Sequence, residues 1–172
     1  AYTITITDTS VDAAALNTLD GKTTVAVNAS NITTLTGAAA DLNTAYAANG
    51  SSLTGLGDED ITLSDTTLAV SVLNTLDGNT SGTIDASNIT TLTGAAADLN
   101  TAYDSAGISG LANEAVTLSD TTLAASVLNT LDGNTSGTIN ASSINTLTGS
   151  AADLITAYAS AVSYTHLTLP TT

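Results

Sequence analysis

Short alternations of aliphatic and hydroxyl residues recur along the chain, and each is followed by residues with helical spacing. The alternations read Thr, an aliphatic residue, Thr or Ser, then Asp or Gly, which is the period-2 signature of a strand. Their aliphatic residues are expected to stack as one buried file. The six segments are centred on Ile6, Leu35, Leu63, Leu92, Leu118 and Leu147.

The residues after each segment carry helical stripes. Each segment together with the helix after it is one half-repeat, and the fourth residue of the segment is alternately Asp and Gly. In one half-repeat whose segment ends in Asp, one helical face holds Leu68, Val72, Leu73 and Leu76, and the same pattern recurs in the other Asp-ending copies. We expect residues 65–67 to supply the N-cap of this helix, because Asp and Thr side chains accept bonds from unpaired amides. Gly78 is expected to end it in a left-handed conformation. In the Gly-ending half-repeats a shorter helix is expected over 95–103, capped by Thr93.

Strand followed by helix, six times over, predicts parallel strands in an α/β fold. The even spacing of the segments along the chain is typical of solenoid coils. We therefore predict a right-handed solenoid of about six coils, with short extra strands at 82–84 and 107–109. The alternative is an all-β solenoid with alanine-rich corners. The three full repeats are placed at 1–57, 58–112 and 113–161.

The composition narrows the function classes. The chain carries 16 acidic residues and a single basic one, Lys22, for a formal net charge of −15. This charge excludes the basic patch that nucleic-acid binding needs and disfavours anionic membranes. The chain holds no cysteine and one histidine, so no activated nucleophile is expected and we predict a non-enzymatic protein. The densest acidic cluster, residues 58–60, is interpreted as a solvated loop rather than a glycosidase carboxylate pair.

The last residues do not follow the repeat. Residues 162–172 contain His166 and Pro170, and the string resembles one translated frame of a transposase adapter used in sequencing libraries. We interpret it as read-through and exclude it from fold and function. A natural strand closing the solenoid is the alternative. The chain also begins inside a repeat, so we expect a segment of a longer protein.

Two loops resemble an EF-hand calcium loop. The loops span 77–88 and 132–143, and oxygen-bearing side chains and a central glycine stand at the required spacings in each. Position 12, which should be glutamate, is Asn88 in one loop and Ser143 in the other. The same loop in the first repeat carries Lys22 at a ligand position. A helix end followed by a turn uses the same residue types. No strong cofactor site is expected, and the candidate calcium ligands are Asp77, Asn79, Ser81, Asp85, Asp132, Asn134 and Ser136.

The threonine-rich strands suggest ice binding as an alternative function. Stacked coils would place hydroxyls in two regular files, about 4.8 Å apart between strands and about 7 Å apart along each strand. Such a face resembles the ice-binding face of hyperactive antifreeze solenoids. Threonine is also simply a good strand residue.

Phrases of the chain resemble repeats in very large secreted surface proteins of marine bacteria and cyanobacteria. They are Val-Thr-Leu-Ser-Asp at 116–120, Leu-Asn-Thr-Leu-Asp-Gly at 128–133 and Leu-Thr-Gly-Ser-Ala-Ala-Asp-Leu at 147–154. The resemblance implies an adhesin-like, secreted or cell-surface context and names no ligand. We expect a structural repeat segment, acting as a spacer, stalk or adhesive surface, whose partners are neighbouring repeats.

Overall fold

The computed structural model describes residues 2–160, which form repeated strand–helix elements whose strands pair in parallel throughout. The helices are α1 (Ala13–Asp20), α2 (Ala39–Ala48), α3 (Val70–Asp77), α4 (Ala96–Asp104), α5 (Ala125–Asn134) and α6 (Ala151–Ala159). The strands are β1 (Ile4–Thr5), β2 (Ser10–Asp12), β3 (Val27–Asn28), β4 (Thr34–Gly37), β5 (Leu53–Thr54), β6 (Asp60–Leu63), β7 (Thr67–Ala69), β8 (Ile84–Asp85), β9 (Thr91–Gly94), β10 (Ile108–Ser109), β11 (Ala115–Leu118), β12 (Thr122–Ala124), β13 (Ile139–Asn140) and β14 (Thr146–Thr148).

The described residues divide into two compact units that interleave along the chain. The first comprises residues 2–65, 72–88 and 106–110, and holds two sheets with strand orders β1-β3-β5 and β10-β8-β6-β4-β2. The second comprises residues 66–71, 89–105 and 111–160, with strand orders β13-β11-β9-β7 and β12-β14. Helices α1 and α2 pack together in the first unit, and α5 packs against both α4 and α6 in the second.

The register of the sheets differs from the predicted file of leucines. Leu35 lies beside Ile61, whereas Leu63 lies opposite Gly37; in the second unit Leu118 likewise lies opposite Gly94. The prediction of one continuous file was wrong because both aliphatic residues of β6 face inward, so either could be aligned with Leu35. The aligned aliphatic residues are Val11, Leu35, Ile61, Ile84 and Ile108 in the first unit, and Leu68, Leu92, Val116 and Ile139 in the second.

Most of these file residues lie in the core with the leucines of the helices. Leu35, Ile84, Leu92 and Ile139 are completely buried. Successive aligned residues, such as Leu35, Ile61 and Ile84, are fewer residues apart in the sequence than successive Thr-rich segments are. The aligned set therefore includes short strands, such as β8 and β10, that lie between those segments. The strands predicted at 82–84 and 107–109 are present as β8 and β10 and pair with each other. They do not form the second ladder that we expected, because β8 also pairs with β6 and extends its sheet.

The helix ends also differ from expectation. Leu68, predicted as the first residue of a helical stripe, lies in β7, and α3 begins at Val70. This short strand pairs with β9, so its backbone groups are satisfied in the ladder. The predicted terminator Gly78 does follow the last residue of α3, but it does not have a positive φ. Helix α5 continues through Gly133 to Asn134.

A left-handed backbone occurs instead where the Gly-ending strands pass into their helices. Gly37, Gly94 and Gly149 have φ values of 132°, 147° and 156°. A side chain at such φ is strained, so only glycine turns the chain here without cost. This explains why half of the six strand segments end in glycine.

Candidate functional site

The asparagines of the two candidate calcium loops bind to a neighbouring helix. The Nδ2 of Asn79 donates to Oδ1 of Asn43 at 2.9 Å, and Asn43 in turn donates to the carbonyl oxygen of Val72 at 3.2 Å. In the second unit Asn134 donates to Oδ1 of Asn100 at 3.1 Å. The first amide therefore links the segment after α3 to α2, and the second links the end of α5 to α4.

The serines of the same loops also have protein partners. Ser81 Oγ donates to the carbonyl oxygen of Gly57 at 3.3 Å, and Ser136 Oγ donates to that of Ala112 at 3.2 Å. The backbone amides of both serines donate to the same two carbonyls, at 2.9 and 2.8 Å. Each loop is thus fixed along a neighbouring segment by a paired contact.

The acidic candidates lie at different places in each loop. Asp77 ends α3, Asp132 lies in the last turns of α5, and both are half-buried. Asp85 lies in β8, and hydrogen bonds from the Ser87 hydroxyl and then from the Ser87 amide, which lies 3.0 Å from Oδ1, lower the pKa of this carboxyl. Within residues 2–160 there is no group of three His, Cys, Asp or Glu side chains that could hold a metal ion. Calcium binding at these residues therefore stays a hypothesis.

The central glycine of each loop makes a close approach to a neighbouring backbone. A Cβ at Gly82 would collide with the carbonyl group of Glu59, and one at Gly137 would collide with that of Glu114. Thr80 Oγ1 donates to the Glu59 carbonyl oxygen at 2.8 Å, beside this approach. The glycine that resembled position 6 of an EF-hand is therefore required for packing between chain segments.

The residue packed under that glycine is a buried acid. Glu59 is completely buried, which corrects the prediction of a solvated loop at residues 58–60. Its Oε2 accepts the Tyr46 hydroxyl at 2.8 Å and the Gly57 amide at 2.9 Å. Its Oε1 has no hydrogen-bond partner within the described part of the chain. Burying a carboxylate is costly unless donors compensate it, so the two bonds to Oε2 hold this loop in place.

The second unit contains a matching site. Glu114 is 1% exposed and accepts the Tyr103 hydroxyl at 3.1 Å. The Ala112 amide lies 3.1 Å from both carboxylate oxygens. Tyrosine and glutamate recur together in the next full repeat, and this recurrence was the available signal. The prediction of a solvated loop rests on the two aspartates that flank Glu59, and no such cluster surrounds Glu114.

Burial sets the ionisation of both tyrosines. Desolvation raises the pKa of Tyr46 and of Tyr103 far above the ordinary value, and the adjacent negative carboxylates Glu59 and Glu114 raise it further. Each phenol therefore stays a hydrogen-bond donor in the folded protein. Nearby, the Thr83 amide donates to Asp60 and lowers the pKa of that exposed carboxyl.

A second repeated contact joins the helices. One asparagine near the middle of a helix donates its Nδ2 to a backbone carbonyl in the first turn of the next helix, at 2.9 to 3.2 Å. Sequence reasoning gave this residue no role, although Leu-Asn-Thr recurs in five of the six helices. The donor–acceptor pairs are Asn17–Asp41, Asn43–Val72, Asn100–Val127 and Asn129–Asp153.

A third repeated contact explains the alternation of Asp and Gly after the strands. Asp65 Oδ2 accepts the amide of Ala39, the first residue of α2, at 2.8 Å, and Asp120 does the same for Ala96 at the start of α4. Neither helix has a side-chain cap of its own. The predicted local caps are therefore wrong, because each Asp caps the helix of the preceding half-repeat.

The outward-facing strand positions do not form a regular hydroxyl file. In the five-stranded sheet Thr36 lies beside Thr62, but acids occupy two of the five positions in this file. The file of the four-stranded sheet contains alanine and asparagine as well as two threonines. The positions are Asp12, Thr36, Thr62, Asp85 and Ser109 in one unit, and Ala69, Thr93, Thr117 and Asn140 in the other.

Over residues 2–160 no pocket is found, and no helix in that range has the length and apolarity to cross a membrane. His166 and the rest of the 162–172 string lie outside the described residues. No protein-family model, curated protein or solved structure matches the sequence.

Proposed function

We propose that the chain is a structural repeat segment, a spacer or stalk of a larger secreted or cell-surface protein, and that it is not an enzyme. One observation carries the proposal: the polar side chains that recur in the sequence bond one half-repeat to the next. The helix asparagines, the capping aspartates Asp65 and Asp120, and the Glu–Tyr pairs all act in this way. Residues repeated for catalysis or ligand binding would instead direct unsatisfied polar groups to a common point.

The composition supports the same proposal. A formal charge of −15 favours solubility and keeps long arrays apart by repulsion. A secreted or surface location rests on the resemblance to repeats of giant bacterial surface proteins. The finer architecture that we propose is a right-handed solenoid of six strand–helix coils, in which each half-repeat is the partner of its neighbours. No external ligand is assigned.

A distance measurement tests the spacer. The chain lacks cysteine, so spin labels can be placed at Thr24→Cys and Thr138→Cys, both exposed positions. A spacer gives a single narrow distance distribution that is unchanged between low and high salt. A control pair within the first unit, Thr24→Cys and Thr62→Cys, shows the width expected for a rigid pair. A distribution much broader than the control would show a flexible linker and refute the spacer.

The ice-binding and adhesive alternatives need a separate assay. The purified chain is tested for thermal hysteresis and ice shaping at micromolar concentration, and for binding to a panel of glycans. The proposal expects neither ice shaping nor saturable binding. Ice shaping would replace the spacer with an ice-binding function, and specific glycan binding would assign an adhesive one.

A further inference from the structure

The loop after α2 carries an asparagine that has no counterpart in the next full repeat. Asn49 follows the last residue of α2 and precedes Gly50, which makes the only Asn-Gly pair in the sequence. The matching segment after α4, residues 105–112, contains no asparagine. Both residues of the pair are exposed, so water and hydroxide reach them.

The Asn49 side chain closes the loop that it begins. Its Nδ2 donates to the carbonyl oxygen of Leu56 at 2.8 Å, and the Leu56 amide donates to its Oδ1 at 3.3 Å. Both polar atoms of the carboxamide are therefore used to link residue 49 to residue 56. Leu56 is 8% exposed, so this end of the link is fixed in the core.

An asparagine that precedes glycine can react with its own backbone. After the Gly50 nitrogen loses its proton to hydroxide, it can attack Cγ of Asn49. A ring C–N bond forms, the Cγ–Nδ2 bond breaks, and Nδ2 leaves as ammonia with a proton taken from water. Water then opens the ring to give aspartate or isoaspartate. Glycine has no Cβ to shield its nitrogen, and apart from its chain neighbours no atom of the described chain lies within 4 Å of where a Gly50 Cβ would be.

The closed loop keeps the reacting atoms apart. The ring can form only when the Gly50 nitrogen and the Asn49 Cβ nearly eclipse one another about the Cα–C bond, whereas Asn49 has an extended backbone with ψ of 135°. The Gly50 amide also donates its proton to the carbonyl oxygen of Leu53 at 2.8 Å. The reaction therefore requires the loop to open, and surface loops open at a much lower free energy than the whole domain unfolds.

We propose that Asn49 is a site of spontaneous deamidation, and that opening of the loop of residues 49–56 limits the reaction. The product cannot restore the closed loop. Aspartate at position 49 has no donor for the Leu56 carbonyl and places a negative charge beside it, and isoaspartate also lengthens the backbone. Deamidation thus leaves the segment that leads to the buried Glu59 without its closing contact. The inference does not depend on the spacer function.

Peptide mapping of the full chain by tandem mass spectrometry, during incubation in mildly alkaline buffer, tests the site. Asn49 should be converted before any other asparagine, and at least about tenfold more slowly in the folded chain than in urea. In urea, where folding plays no part, Gly50→Ala should slow the conversion severalfold because its methyl group shields the nitrogen.

Two leucine variants separate local opening from global unfolding. Leu56→Ala removes the buried side chain at the end of the loop and should speed conversion of Asn49 severalfold in the folded chain but not in urea. Leu123→Ala, a site of similar exposure in the second unit, should leave both rates unchanged. Circular dichroism of each variant verifies folding.

The consequence for the loop is measured with a variant that mimics the product. Asn49→Asp should lower the melting temperature by a few degrees, whereas Asn145→Asp, at another exposed asparagine, should not. The proposal is overturned if Asn49 stays intact in the folded chain while it is converted in urea. Equal rates in the folded and unfolded chain, or earlier reaction of another asparagine, would also overturn it.

Discussion

Replacing the two buried tyrosines by phenylalanine should change how stability depends on alkaline pH. In the folded chain Tyr46 and Tyr103 are desolvated beside Glu59 and Glu114, which raises the pKa of each phenol above the ordinary value of 10.0. The unfolded chain releases these protons near pH 10, whereas the folded chain keeps them. The stabilisation from the protonated phenols is complete below pH 10 and is lost as pH rises through the folded-state pKa.

The size of the effect follows from the unfolded-state titration. At pH 11 an unfolded tyrosine gains about 1.4 kcal/mol by ionising, so the pair lowers the free energy of unfolding by at most about 2.8 kcal/mol relative to neutral pH. Solvent that reaches the phenols screens the carboxylates and reduces this value. Removing the hydroxyls has a separate cost at neutral pH. Each buried carboxylate loses a charge-assisted donor, which destabilises by about 1–3 kcal/mol per site.

Urea denaturation followed by far-ultraviolet circular dichroism between about pH 8 and 11 measures both effects. The wild type should lose stability steeply above pH 10. The double variant Tyr46→Phe, Tyr103→Phe should start less stable and decline less. Tyr158→Phe is the matched control, because no glutamate follows Tyr158 in the sequence. An equal decline in wild type and double variant, or an equal change in the control, would refute the reasoning.

Three further predictions use contacts that recur in the repeats. Asp120→Ala removes the cap from α4 and should cost about 1 kcal/mol in a thermal melt, whereas the exposed Asp58→Ala should cost almost nothing. Gly137→Ala should destabilise by about 1–3 kcal/mol because its methyl group meets a backbone carbonyl; Gly133→Ala, with no atom nearby and a helical backbone, should stabilise by up to about 1 kcal/mol. Calcium at about 5 mM should leave the melting temperature unchanged, because Asn88 and Ser143 replace the bidentate glutamate at position 12 of the two loops; a rise saturating at two sites would contradict this.

The type and order of the main elements could be predicted from the sequence. Strand alternation and helical stripes have distinct periods, so the α/β class and parallel pairing followed from pattern alone. The fully buried Leu73 and Leu128 are at the predicted core positions. The short strands β8 and β10 were also predicted. In each case the signal lies within a few neighbouring residues.

The register could not be predicted because the spacing of the Thr-rich segments along the chain differs from the spacing of the residues that align in the sheet. Five consecutive strand segments extend from Ile6 to Leu118, whereas five aligned strand residues extend only from Val11 to Ile108. The sheet aligns Ile61 with Leu35 and leaves the next inward-facing leucine of β6 opposite a glycine. Both inward-facing residues of β6 are then buried, which a count of segment spacings does not reveal. This shift also breaks the expected hydroxyl file.

The polar residues escaped prediction for a related reason. Local rules assign Asp65 to the helix that follows it, since caps are normally found beside their own helix. The carboxylate instead reaches back along the sequence to the amide of Ala39. The exchange supplies the acceptor that α2 lacks locally, because its N-cap residue is Ala38, which has no polar side chain. Asp in one half-repeat and Gly in the other are therefore two parts of one contact at α2 and α4, whereas α6, after Gly149, is capped by its own Ser150.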